Sequence, residues 1–169
     1  MTNAEKQLDG YFARYEPETV KLGKALRAKL RARLPGLFEI VYLYERQNAL
    51  VISYSPTERG FEGVCSISLH PSSVKLGFGQ GAQLSKSDLT RLLRGQGKMV
   101  RYVELRTVAD FNSSEVEALI AAAVKLAKLR LDPNAKGGLI IKAEEQKRRA
   151  RRATKAKAGA PRQTLPGST

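Results

Sequence analysis

Two glycines, Lys98 and Arg101 stand close together in the segment LLRGQGKMVRYVEL, residues 92–105. A P-loop needs the pattern G-x-x-x-x-G-K-[ST], because its backbone N–H groups surround a phosphate and its hydroxyl binds the metal. Here the glycines are two positions apart, and Met99 occupies the hydroxyl position. The segment is therefore not a P-loop, and two interpretations remain: an anion-binding nest or a turn with solvated cations. The candidate anion-binding residues are Gly95, Gly97, Lys98 and Arg101.

A second candidate loop, SPTERGFEG at residues 55–63, combines a hydroxyl with a guanidinium. Ser55 ends a predicted strand, and Arg59 lies four positions later. We predict that the ligand of the folded domain binds near this loop and near Lys98 and Arg101.

The strongest charge signal is a basic run near the end of the chain. Seven cationic side chains fall within eleven positions, and no aromatic residue interrupts them. Such a run neutralises phosphates and releases counterions, which predicts salt-dependent, nonspecific binding of nucleic acid or another polyanion. The alternative is a solubilising extension without a dedicated ligand, and the lack of aromatics predicts no base stacking by this run. The residues are Lys147, Arg148, Arg149, Arg151, Arg152, Lys155 and Lys157.

Residues with nucleophilic or metal-binding chemistry are few. Cys65 is the only cysteine and His70 the only histidine, which excludes an intrachain disulfide and a zinc site built from Cys and His. Cys65 is interpreted as a small strand residue, and His70 lacks the nucleophile turn of a Ser–His–acid site. Glu58 and Glu62 share a loop with Arg59 and do not form a recognisable catalytic pair. We therefore predict a non-enzymatic binding protein without a cofactor.

Neither a membrane span nor a secretory signal is recognisable. The N-terminal stretch MTNAEKQLDGYFARY carries charges and lacks the apolar region of a signal peptide, and no apolar run approaches about 20 residues. A single cysteine is compatible with a reducing compartment, so we predict a cytoplasmic location.

The sequence predicts helical regions before and after the candidate segments at 55–63 and 92–105. From about residue 3 to residue 34, apolar residues recur at helical spacing, and Pro17 suits the first turn of a second helix. A basic cluster at residues 27–33 complements the dipole at the end of that helix. It is interpreted as a solvated helix end or, alternatively, as a nucleic-acid contact. Ser114 and Glu117 predict a capping box for a later helix.

Between these helices the chain predicts about five short strands. Apolar Cys65, Ile67 and Leu69 alternate with Ser66 and Ser68, so one face of the sheet is apolar and the other is wet and hydroxylic. Short links favour antiparallel pairing. The fold class is therefore α+β, an antiparallel sheet with the N- and C-terminal helices on one face. The predicted strands are 37–44, 48–55, 63–70, 73–79 and 99–106.

The net charge of +14 is distributed unevenly. Residues 1–132 contain 20 Lys and Arg against 14 Asp and Glu, a net +6, whereas residues 133–169 contain 10 against 2, a net +8. We predict an α+β domain at 1–132 and a basic, low-complexity, disordered tail at 133–169. Within that tail, residues 142–158 have the composition to form a helix on an anionic surface.

Three stretches carry a family resemblance: YEPETVKLGKALRAKLRARLPGLFEIVY, NALVISYSPTERGFEGVCSISLHPSSVKLGFGQGAQL and LLRGQGKMVRYVELRTVADF. With the helix that follows them, they cover roughly residues 15–130, and YSPTER and RGQGKMVRYVEL are the most distinctive parts. The chain resembles the YdhG-like family, bacterial domains of unknown function. The resemblance implies an α+β fold with an antiparallel sheet flanked on one face by terminal helices.

The same resemblance implies iron as an alternative ligand, because some YdhG-like proteins are described as frataxin-like iron chaperones. Frataxins bind iron through an acidic ridge on the first helix and the neighbouring sheet edge. Here Glu5, Asp9, Glu16 and Glu18 are interspersed with cations, whereas iron needs clustered oxygen ligands. Iron binding is therefore expected from the resemblance alone, and the residues predict no metal site.

Overall fold

A computed structural model shows a six-stranded sheet in the residues it describes, 1–88 and 91–159, with only the backbone at residues 144 and 145. The strands are β1 (Phe38–Tyr44), β2 (Ala49–Ser55), β3 (Cys65–His70), β4 (Ser73–Phe78), β5 (Arg101–Leu105) and β6 (Leu139–Ile141). Their order across the sheet is β5-β4-β3-β2-β1-β6. Neighbours from β1 to β5 are antiparallel, whereas β6 is parallel to β1. This confirms the predicted α+β class.

Six α-helices accompany the sheet in the described residues: α1 (Asn3–Phe12), α2 (Pro17–Arg33), α3 (Gly81–Leu84), α4 (Val108–Phe111), α5 (Ser114–Leu126) and α6 (Ala143–Ala158). None of them is long and apolar enough to cross a membrane. The capping prediction for α5 is wrong by one residue. The N-cap is Ser113, whose hydroxyl accepts a hydrogen bond from the backbone N–H of Val116.

One face of the sheet forms the hydrophobic core. A row of buried apolar residues crosses five strands in register: Val41, Ile52, Ile67, Leu76 and Val103. Residues of α1, α2 and α5 belong to the same core. At Gly23 of α2 a Cβ would lie 2.9 Å from Cδ2 of Leu69, so glycine lets this helix pack tightly on the sheet. The predicted apolar face is thus the covered one.

The opposite face is wet only in part. Ser53, which pairs with Ser66 and shares the face predicted to be wet, is buried. The loop 56–63 lies directly over Ser53. A Cβ on Gly63 would overlap the Ser53 hydroxyl, and one on Gly60 would overlap the Tyr42 hydroxyl. Glycine at these two positions lets the loop lie directly on the sheet.

The sheet continues past the predicted domain boundary at residue 132. Within the segment predicted as a disordered tail, residues 139–141 form β6 and pair with residues 39–41 of β1. The count of about five strands is therefore one too low, although the other five agree with the structure to within two residues at each end. Sequence reasoning misses β6 because three residues are too few to show a strand periodicity. The helix expected at 142–158 is present as α6, and residues 160–169 lie outside the described residues.

Candidate functional site

Ser55 holds the loop 56–63 in shape. It is fully buried, and its hydroxyl donates to the carbonyl of Arg59 at 2.9 Å while accepting from the N–H of Thr57 at 3.3 Å. Thr57 in turn accepts from the N–H of Arg59 at 3.1 Å and donates to the Glu62 carboxylate. Both hydroxyls are engaged inside the loop, and the side chain of Arg59 is left exposed at its tip.

The glycine-cation segment forms a turn that folds back on β5. Gly95 has φ +111°, a conformation that favours glycine, and the backbones of Arg94 and Tyr102 pair at 2.8 and 2.9 Å. The Arg101 guanidinium donates to the carbonyl of Val100 at 2.9 Å and to that of Gly97. The backbone groups that contact the Arg101 guanidinium are thus the carbonyl oxygens of Gly97 and Val100.

The two predicted anion-binding segments are not adjacent. Ser55 ends β2 and Arg101 begins β5, and β3 and β4 lie between these strands, a separation of about 14 Å at ordinary strand spacing. Phe61 of the loop 56–63 and Met99 of the glycine-cation segment line a common cavity of about 90 Å³. The structure places Gly95, Gly97 and Lys98 in the turn before Arg101, the first residue of β5, and places Arg59 in the loop after Ser55, the last residue of β2.

The basic run of the tail lies on α6 and is concentrated on one side of it. At about 100° per residue, five of the seven cations fall within an arc of about 140° and extend about 12 Å along the helix. Side chains 148–159 are exposed. We call the five cations within this arc the basic face of α6: Lys147, Arg148, Arg151, Arg152 and Lys155. Helix formation therefore converts a charge run into a one-sided cationic surface.

The base of α6 is attached to the edge of the sheet. The N–H of Lys142 donates to the carbonyl of Val41 at 2.9 Å, and the Gln146 side chain accepts from the N–H of Leu43 at 3.1 Å. The Lys142 ammonium donates to the carbonyl of Glu58 at 3.0 Å. These contacts fix the direction in which the basic face points.

Arg59 and Arg149, predicted separately as anion and nucleic-acid candidates, line the same cavity. It has a volume of about 310 Å³ and lies between the loop 56–63 and α6, and we call it the loop–helix cavity. Its other lining residues include the aromatic side chains of Tyr42 and Phe61. Sequence reasoning missed both aromatics, although Phe61 stands only two positions after Arg59.

A different arginine is enclosed in the protein. Arg27 of α2 is only 13 % exposed and donates hydrogen bonds to Glu39 at 2.7 and 2.9 Å and to Glu5 at 2.9 Å through both Nη atoms. The Tyr54 hydroxyl donates to Glu39 at 3.1 Å. The prediction of a solvated helix end is therefore wrong for Arg27, because Glu39, 6 % exposed, requires a buried counterion.

The electrostatics of this buried cluster follow from burial and pairing. Burial alone would lower the pKa of Arg27, but hydrogen bonds to Glu39 and Glu5 outweigh it and raise that pKa. The same hydrogen bond from Arg27 lowers the pKa of Glu5. Burial, together with the Glu39 charge, raises the pKa of Tyr54 well above its ordinary value, which keeps this hydroxyl a donor.

A cavity of about 640 Å³ opens beside the cluster. Glu39 and Tyr54 contribute to its wall, and Arg31 and Lys136 lie at the same cavity. Because the two carboxylates already accept from Arg27, and Arg31 approaches them only at 3.7 and 3.9 Å, the cluster is electrostatically satisfied without a ligand.

The residues with nucleophilic chemistry lie in ordinary structural positions. Cys65 is buried, and burial raises the pKa of its thiol to about 12, so the thiolate is not populated at neutral pH. Burial and the charge of Lys75 lower the pKa of His70, whose Nε2 lies 3.2 Å from the Ser68 hydroxyl. Among the side chains that the structure describes, no group of three or more from His, Cys, Asp or Glu is placed to hold a metal ion.

Comparison with known proteins adds no relative to this description. No protein-family model, curated protein or solved structure matches the chain. Any functional conclusion therefore depends on the residues and their geometry.

Proposed function

We propose that this protein is a cytoplasmic, non-enzymatic binding protein of the YdhG-like type that holds nucleic acid nonspecifically through the basic face of α6. The observation that carries the proposal is the one-sided arrangement of five cations on an anchored helix whose side chains are exposed from residue 148 onward. A phosphate backbone is the ligand that such a surface fits best, since its charges repeat along a line.

The physical basis of the affinity is the release of counterions. If all five cations of the basic face contact phosphates, the logarithm of the affinity for duplex DNA falls with that of the salt concentration with a slope of about −4 to −5. The contacts involve no base edge, so the affinity is insensitive to sequence. Iron, the alternative implied by the family resemblance, has no supporting group of ligands among the described residues.

The test is duplex binding by the full chain across a salt series from about 50 to about 200 mM. The variant replaces Arg148, Arg151, Arg152 and Lys155 by Gln. A matched control replaces four exposed cations on other parts of the chain by Gln, which lowers the net charge equally: Lys86, Arg106, Lys125 and Arg130.

We expect the α6 variant to lose at least about tenfold in affinity at low salt and to show a slope near −1, while the control keeps most of the slope. Equal losses in the two variants would show that net charge alone causes binding and would refute the proposal. Substitution is preferable to truncation after Asp132, because truncation also removes β6 from the edge of β1.

A further inference from the structure

Three aromatic side chains lie on the side of the sheet where α6 is attached. Tyr42 and Tyr44 of β1 stack with ring centroids 6.1 Å apart and an interplanar angle of 25°. Phe61, in the loop 56–63, is 82 % exposed. A large aromatic side chain exposed to this extent next to a cationic helix is a candidate for contact with a ligand that has a flat face.

Cationic groups surround the same place. Arg59 and Arg149 line the loop–helix cavity together with Tyr42 and Phe61. Aromatic rings and guanidinium planes are the groups on which unpaired nucleobases stack in single-strand recognition. The cavity is concave, which suits insertion of a flat base better than contact with the surface of a membrane.

The cavity borders one edge of the phosphate-binding surface proposed for α6. Arg149 lines the cavity, and Arg152 belongs to the basic face three positions later, so their Cβ atoms are about 5–6 Å apart on the helix. A strand whose phosphates contact Arg149 and Arg152 at this edge therefore passes the mouth of the cavity with its bases within reach.

We propose that the loop–helix cavity binds a nucleobase of single-stranded nucleic acid, with Phe61 as the stacking platform and Arg59 and Arg149 beside it. This inference rests on the proposed function, because α6 supplies the backbone contacts. It adds a preference for single strands, since bases in a duplex are stacked on their neighbours and are not available to the cavity.

The experiment measures binding of the full chain to a labelled single strand of about 12 nucleotides, to its duplex and to an abasic strand of equal length. The variants are Phe61→Ala and the conservative Phe61→Tyr. Val100→Ala is the control, because Val100 is also an exposed apolar residue, 56 % accessible, and lines neither of the two cavities to which Phe61 contributes. Vesicles containing anionic phospholipid are tested in parallel.

We expect Phe61→Ala to weaken single-strand binding by about fivefold or more, and Phe61→Tyr and Val100→Ala to leave it within about twofold. Binding to the duplex and to the abasic strand should be the same for all of these variants. The inference is overturned if Phe61→Ala leaves single-strand affinity intact, if it weakens the duplex equally, or if it weakens vesicle binding alone. Failure of the α6 charge variant to lose duplex binding would instead refute the proposed function, so the two failures are distinguishable.

Discussion

The cluster around Arg27 and the basic face of α6 hold positive charge in contrasting ways. Arg27 is 13 % exposed and donates four hydrogen bonds to two carboxylates, whereas side chains 148–159 of α6 are exposed to solvent. An enclosed cation requires a partner, because an unpaired buried charge is strongly destabilising. A cationic surface in water needs no such partner and remains able to bind anions. The surroundings of an arginine, and not its type, thus decide whether it supports the fold or a ligand.

The largest effect should come from breaking the enclosed cluster. We expect Arg27→Met to lower the free energy of unfolding by about 3–5 kcal/mol, because it leaves Glu39 and Glu5 with only the more distant Arg31, at 3.7 and 3.9 Å. Arg31→Met is the control, since Arg31 is 57 % exposed and should cost at most about 1 kcal/mol. Chemical denaturation measures both, and equal losses would contradict the assignment of Arg27 as the essential partner.

Substitution on α6 should have the opposite effect, because it should weaken nucleic-acid binding and leave the stability almost unchanged. The four Gln substitutions proposed above should reduce duplex affinity by at least about tenfold. They should change the free energy of unfolding by no more than about 0.5 kcal/mol, because the residues are exposed. Thermal or chemical denaturation measures this free energy. A loss as large as that of Arg27→Met would contradict the view that α6 does not support the fold.

Acid should weaken the enclosed cluster before it affects the basic face. The pKa of Glu5 lies below its ordinary value of 4.5 because Arg27 donates hydrogen bonds to the carboxylate. Near that pH the unfolded chain binds more protons than the folded one, so this stabilisation is present above about 4.5 and is lost as the pH falls through the lower folded-state pKa.

Glu5→Gln should therefore flatten part of the acid side of the stability profile, measured by denaturation at a series of pH values. Asp110 contributes in the same direction, because the backbone N–H groups of Arg106 and Thr107 lower its pKa. An unchanged profile in Glu5→Gln would show that the carboxylate gains nothing from Arg27.

The smallest effect is expected at the glycine-cation turn. Lys98 precedes β5, which lies at the opposite edge of the sheet from β6. Lys98→Gln should therefore change nucleic-acid affinity by less than about twofold. A larger loss would mean that the bound strand extends across the sheet to the turn that was first predicted to bind an anion.

Parts of the candidate site could be predicted from the sequence, because they depend on local composition. Residue types and spacing were enough to identify the charge run at 147–157 and to name Arg59 as a candidate. The pairing of Arg59 with Arg149 did not follow, because 90 residues separate them and only the attachment of α6 beside the loop 56–63 brings them to one cavity. Nothing in the local sequence distinguishes Phe61 from an ordinary loop residue, because its exposure and its neighbours depend on the tertiary structure.

The sequence alone determined the α+β class, five of the strands, the long helices and the basic character of residues 142–158, because periodicity and charge are properties of short segments. Tertiary structure decided which charges are enclosed and which are exposed. Arg27 lies in a basic helix end like the others, yet the packing of α2 on the sheet places it between Glu5 and Glu39. Tertiary structure also added β6, because three residues become a strand only when the edge of β1 is available to pair with them.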